Sequence, residues 1–126
     1  MEEWLPAAGV GYRWESRLGG FRRPVAVSPN AGLRHPAFRG YADHMATAEF
    51  AAALHDVLTE AAAARVTVMC SETLWWRCHR RLVADFATLV HGCTVLHLTA
   101  RGSTEPHRVT EGAARVGDVV RYPAPP

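Results

Sequence analysis

The sequence predicts an α/β fold, namely a small three-layer domain with a mainly parallel sheet. Two short apolar runs, 66–70 and 93–98, have the β-branched and apolar character of buried strands. Between them, residues 78–90 carry apolar side chains on one helical face. A strand, a helix and a strand joined by short links form a βαβ unit over 66–98, in which the two strands run parallel.

The first helix is predicted over 46–64, where apolar side chains recur at helical spacing. Thr47 is the expected N-cap, and Glu49 favours the positive first turn. The helix over 78–90 is expected to end at Gly92, since glycine adopts the left-handed C-cap conformation without strain.

The remaining segments are expected to be irregular. Glycine and proline recur through residues 1–41, so only a short strand at 12–15 is expected there, followed by loops at 19–23 and 35–41. Residues 99–126 are predicted to form a short tail. It carries a small strand pair at a sheet edge around Val116, Val119, Val120 and Tyr122, and a loose end at 123–126.

Composition bounds the class of protein. The 126 residues suit one domain, and 14 basic residues, all arginine, against 12 acidic ones give a net charge of +2. That charge is too small to imply nucleic acid by itself. No apolar run reaches the length of a membrane span, so no membrane partner is expected. Three cysteines and an acidic start, which is unlike a secretory signal, predict a cytoplasmic protein with reduced thiols.

The strongest candidate for a functional site follows the first predicted strand. Ligands in open parallel sheets bind beyond the carboxyl ends of strands, and a helix N-terminus there stabilises a thiolate. The candidate catalytic residues are Cys70, Glu72, Cys78 and His79, and the candidate anion-binding residues are Arg77, Arg80 and Arg81. Tyr41, His44, Trp75 and Trp76 complete the predicted pocket.

Three interpretations of this cluster stay open. In the first, a cysteine is a nucleophile, Glu72 or His79 carries protons, and the arginines hold an anionic small molecule or nucleotide. In the second, the arginines and tryptophans form a non-catalytic surface for nucleic acid or a nucleotide. In the third, the thiols and His79 bind a metal, although their spacing does not match common zinc patterns.

Each of these residues also has a purely structural interpretation. Cys70 or Cys78 packs as a small hydrophobic residue, and the tryptophans cover the sheet edge. Cys93, inside the second predicted strand, is expected to be a core residue. His55, His91 and His107 are expected to lie on the surface. Whether the protein is an enzyme, and which cofactor or metal it uses, stays open.

Several segments together resemble the DUF488 family. The stretch 69–72, Met-Cys-Ser-Glu, differs from the family's Met-Cys-Ala-Glu only by serine, and the Cys-His-Arg step follows at 78–80. Residues 18–20 resemble the family's Leu-Gly-Gly loop, and 40–45 resemble its Gly-Tyr-Ala-Asp-Tyr-Met segment, with histidine at position 44. Residues 104–107 and 122–123 also fit its usual tail.

The resemblance implies one DUF488-like α/β domain over 1–126 and a site without a known reaction. Family members usually begin with a strand, a helix and a second strand that ends in Asp-Val-Arg, so this chain is expected to be short at its N-terminus. A sheet without those strands would expose edges, and exposed edges pair with other chains. The expectation is therefore a homodimer or other self-association.

Overall fold

The computed structural model describes residues 7–20, 22–70, 72 and 74–125. Three helices lie entirely within these residues, α1 (Pro36–His44), α2 (Ala48–Ala63) and α3 (Arg80–His91). Strands β1 (Leu96–Leu98) and β2 (Thr104–Pro106) form one antiparallel pair, and β3 (Ala114–Val116) and β4 (Val119–Arg121) form a second. Short 3₁₀ turns occupy Ser16–Leu18 and Trp75–Arg77.

The predicted three-layer α/β fold with a parallel sheet is wrong. Within the described ranges the only sheets are these two-stranded antiparallel ones, and no βαβ unit spans 66–98. Residues 66–70 form no strand, and Val66, Val68 and Met69 are 41, 42 and 57% exposed. The second predicted strand is reduced to β1, which pairs forward with β2 across a short turn. Closing that short loop costs less chain entropy than pairing back across a helix.

The two predicted helices are confirmed. The Thr47 hydroxyl accepts a hydrogen bond from the Phe50 backbone N–H at 3.2 Å, which caps α2 as expected. Helix α3 ends at Gly92, whose φ of +64° is in the left-handed region. Helix α1 lies where a loop was predicted: the His35 ring accepts the Ala37 N–H at 3.1 Å, and proline at the first helical position is preorganised for the turn.

Removing the cap of α2 is expected to destabilise the protein. Thr47→Ala leaves an N–H of the first turn without its partner, and we expect the free energy of unfolding to fall by about 1 kcal/mol. Thr59→Ala is the matched control, because the Thr59 hydroxyl is exposed and donates only to the His55 carbonyl of the same helix. Urea unfolding of the two variants measures the difference, and equal stabilities would contradict the capping role.

The core is built on aromatic contacts between the helices. The Phe50 ring lies at the centre, with its centroid 6.1 Å from Tyr41 and 5.0 Å from Phe86. The predicted strand pair near the C-terminus is confirmed as β3 and β4. It belongs to the core rather than to the edge of a larger sheet, because Val120 and Tyr122 are both 2% exposed.

One further expectation is not met, and others concern residues outside the described part of the chain. The strand expected at 12–15 is absent, and Glu15 instead caps the Ser16–Leu18 turn. Expectations that involve the first six residues, Phe21, Ser71, Thr73 and Pro126 fall outside the described part of the chain. No described helix has both the length and the apolar character that crossing a membrane requires.

Candidate functional site

Two cysteines lie together at the start of α3. The Sγ atoms of Cys70 and Cys78 are 3.1 Å apart. Cys78 directly precedes His79, the N-cap residue of α3, so its sulfur accepts the Arg80 backbone N–H at 3.2 Å. Arg80 also donates from Nε to the same sulfur at 3.1 Å, and the Glu72 N–H donates to Cys70 Sγ at 3.4 Å. The chain therefore forms a dithiol pair in a frame of hydrogen-bond donors.

The two thiols differ in their surroundings. Burial raises the pKa of Cys78, and the side-chain and backbone donors of Arg80 oppose that rise only in part. Cys70 is half-buried, whereas Cys78 is buried. Cys70 is therefore the thiol that a reagent from solvent reaches first, and Cys78 is the protected partner.

The three candidate anion-binding arginines separate in space. Arg80 donates to Cys78 and also, from Nη2, to the Glu72 carbonyl. Arg77 is exposed, and the Arg81 guanidinium lies 5.0 Å from the centroid of the Phe38 ring. Of the three, Arg80 is the one in contact with the thiols.

The backbone of Glu72 forms hydrogen bonds beside the thiol pair, whereas its side chain accepts a hydrogen bond within the same segment. The Oε1 atom of Glu72 accepts the Leu74 N–H at 3.1 Å. The carboxylate is thus engaged by the backbone of its own segment.

Tyr41, His44 and His79 hold one loop. The Tyr41 hydroxyl donates to the Leu18 carbonyl at 3.0 Å, and His44 Nε2 lies 2.6 Å from the Arg17 carbonyl oxygen. The His79 ring packs on Tyr41 at 4.9 Å between centroids, and burial lowers the pKa of His79. A Cβ at Gly20 would lie 2.3 Å from His79 Nδ1, so only glycine fits there. These contacts connect segments 18–20 and 40–45, which resemble DUF488 motifs, to His79 beside the thiol pair.

The two tryptophans also differ. Trp75 is buried and donates from Nε1 to Glu105 at 2.5 Å, while Trp76 is 46% exposed. The Trp75 indole stacks in parallel on the His97 ring at 3.9 Å between centroids. Trp75 is therefore part of the packing between the 3₁₀ turn and the β1–β2 hairpin.

A second cluster of titratable groups was missed by the sequence analysis. His107 Nε2 lies 2.7 Å from Asp85 Oδ1, and His107 Nδ1 lies 2.8 Å from His97 Nε2. The Tyr122 hydroxyl donates to Asp85 Oδ2 at 2.8 Å, and the Thr110 N–H donates to Oδ1 at 2.9 Å. The side chains of Asp85 and His107 are 0 and 1% exposed. The side chain of His107 is thus buried, and the prediction that it lies on the surface is wrong.

A groove of about 520 Å³ opens beside this cluster. Its walls are aliphatic side chains of α2 and α3 together with residues 66–68 and 93–98. Arg80 and His97 also line it, and they bring a permanent charge and an imidazole to a surface that is mainly apolar apart from Thr67 and Thr94.

Within the part of the chain that the structure describes, no three histidine, cysteine, aspartate or glutamate side chains converge in a way that could hold a metal ion. Asp85, His107 and His97 form a linear chain of hydrogen bonds instead of a convergent set.

Fold and site together define a small, mainly helical domain with a dithiol at a helix N-terminus. The chain belongs to the DUF488 family: the model of this domain of unknown function matches residues 1–87. That match contains both thiols, Arg80 and Asp85, whereas His97, His107 and both hairpins lie beyond it. No curated protein and no solved structure matches the chain.

Proposed function

We propose that the protein is a thiol-dependent enzyme whose reactive unit is the Cys70–Cys78 pair, acting on small anionic disulfides by thiol–disulfide exchange. The observation that carries the proposal is the distance of 3.1 Å between the two sulfurs. Two sulfurs this close favour the resolving step, in which one cysteine attacks a mixed disulfide on the other. This attack within one chain is faster than attack by a second molecule.

The unequal surroundings of the thiols assign their roles. Cys70, the half-buried thiol, loses its proton to solvent and attacks one sulfur of the substrate, so that one thiolate leaves. Cys78 then loses its proton and attacks Cys70 Sγ in the mixed disulfide. The second substrate thiolate leaves, and a Cys70–Cys78 disulfide remains. Overall, one disulfide and two protein thiols become two small thiols and one protein disulfide.

Arg80 supports both steps. Its two donors on Cys78 Sγ stabilise the thiolate that forms during the resolving attack, against the burial that raises the pKa of Cys78. Its positive charge also favours a substrate with a negative group near the pair.

The test uses dithiobis(nitrobenzoate), an aromatic disulfide with carboxylate groups, in a Cys93→Ser background that leaves only the pair. We expect two equivalents of released thiol and no adduct on the protein, because Cys78 displaces the mixed disulfide on Cys70. The double variant Cys93→Ser, Cys78→Ser is expected to release one equivalent and keep the adduct on Cys70. Absorbance and intact-protein mass spectrometry measure both results.

Two outcomes would contradict the proposal. Two retained adducts in the Cys93→Ser protein would mean that the thiols react independently. Release only after denaturation would mean that both are core residues. Uncharged dithiodipyridine is the control for the anionic substrate, and equal rates with the two reagents would remove the role of Arg80 in anion recognition.

A further inference from the structure

Asp85, His107 and His97 form a continuous chain of hydrogen bonds from the core to the groove. Asp85 accepts from the Thr110 N–H and the Tyr122 hydroxyl as well as from His107, which is the pattern of an ionised carboxylate. His107 therefore carries its proton on Nε2. In the neutral ring Nδ1 must accept, so His97 donates from Nε2.

This arrangement fixes the state of His97. With its proton on Nε2, the neutral ring carries a lone pair on Nδ1, and His97 is the member of the chain that lines the groove. A proton added at Nδ1 makes an imidazolium, and transfer from His97 Nε2 to His107 Nδ1 moves that charge toward Asp85. The chain can therefore store one proton next to a buried carboxylate.

The charged neighbours of His97 come from three directions. Arg80 lies on α3, Glu105 on β2, and Asp85 is reached through His107. Burial, His107 and the charge of Arg80 lower the pKa of His97 to about 4. The groove walls contributed by α2 and residues 66–68 add no titratable side chain. At neutral pH, Arg80 is thus the positively charged side chain among the residues that line the groove.

We propose that the groove binds a small molecule with an apolar body and one anionic head group, and that the Asp85–His107–His97 chain takes up a proton when it binds. Aliphatic walls from Leu54, Val57, Val83 and Ala87 fit the body. Arg80 and a protonated His97 fit the head group, because a negative charge offsets the repulsion between these two cations. Binding and protonation therefore favour each other.

This inference goes beyond the thiol reaction, although both involve Arg80. Cys70→Ser removes the attacking thiol while leaving the groove residues in place, so it is expected to abolish exchange and to retain anion binding. Conversely, a protein that shows no anion binding but still carries out thiol exchange would contradict only the binding proposal. The two proposals can therefore fail separately.

Octanesulfonate is the probe, since its head group stays ionised across the pH range used. Titration calorimetry is expected to show binding about tenfold tighter at pH 5.5 than at pH 7.5, as one linked proton allows at most tenfold per pH unit. His97→Gln keeps hydrogen-bonding groups but cannot be protonated, and its affinity is expected to change less than about twofold over the same range. His55→Gln, on the exposed face of α2, is the matched control and should behave like the unaltered chain.

Nitrogen NMR of the histidine rings tests the same point without a variant. Addition of octanesulfonate at pH 6 is expected to move the His97 and His107 nitrogens toward imidazolium shifts. Absence of saturable binding, pH-independent binding, or unchanged ring nitrogens would each overturn the proposal. Self-association that octanesulfonate does not reverse would mean that a second copy of the chain occupies the groove. That result would overturn the proposal as well.

Discussion

Replacing Asp85 by alanine is expected to lower the free energy of unfolding by about 3–5 kcal/mol, the cost of breaking a buried charged network. The carboxylate accepts hydrogen bonds from His107, Thr110 and Tyr122, and its side chain is fully buried. The substitution leaves all three donors without their acceptor in a site that water does not reach. Each such buried group carries its own desolvation cost.

Urea unfolding measures this change, with Asp118→Ala as the control because Asp118 is an exposed turn residue. Asp85→Asn offers a graded variant, since the amide oxygen still accepts from part of the network while the charge is lost. A loss of less than about 1 kcal/mol for Asp85→Ala, the size of one ordinary hydrogen bond, would contradict the central position of this carboxylate.

Stability is expected to fall as the pH is lowered from about 6.5 to about 4. The pKa of His97 is lowered in the folded protein to about 4 from its usual 6.5. In this window the unfolded chain binds more protons than the folded one, so stability rises with pH. A shift of this size corresponds to about 2–3 kcal/mol. Burial lowers the pKa of His79 too, which adds an effect of the same sign.

Denaturant titrations at several pH values give the slope directly. His97→Gln removes the titrating ring, so its stability is expected to change less between pH 6.5 and pH 4. His55→Gln is the exposed control and should keep the slope of the parent. A parent protein that gains stability on acidification through this window would contradict a buried neutral His97.

Helices α2 and α3 were predictable because their signals are local. The apolar spacing of α2, its Thr47 cap and the Gly92 stop of α3 lie within or next to the helix they define. Strands depend on partners elsewhere in the chain. Residues 66–70 have the composition of a strand, but in the described structure they have no neighbouring strand to pair with.

The site was predictable to the same extent. Cys70, Cys78 and Arg80 are close in sequence, and they meet in space. Asp85 and His107 are 22 residues apart and no periodicity connects them. One signal was available: His97 stands in an apolar run, and it is the one buried residue of the three in β1. A histidine at an inward strand position calls for a buried partner.

The hydrogen bond from the Tyr122 N–H to Asn30 Oδ1 spans 92 positions of the chain. During synthesis, therefore, the residues of the three described helices are joined before the residue that closes the core has been added. Until then, Asp85 lacks the Tyr122 hydroxyl, and Asn30 Oδ1 lacks the Tyr122 backbone N–H. Native packing thus follows translation of the chain as far as Tyr122, and its rate is governed by long-range contacts.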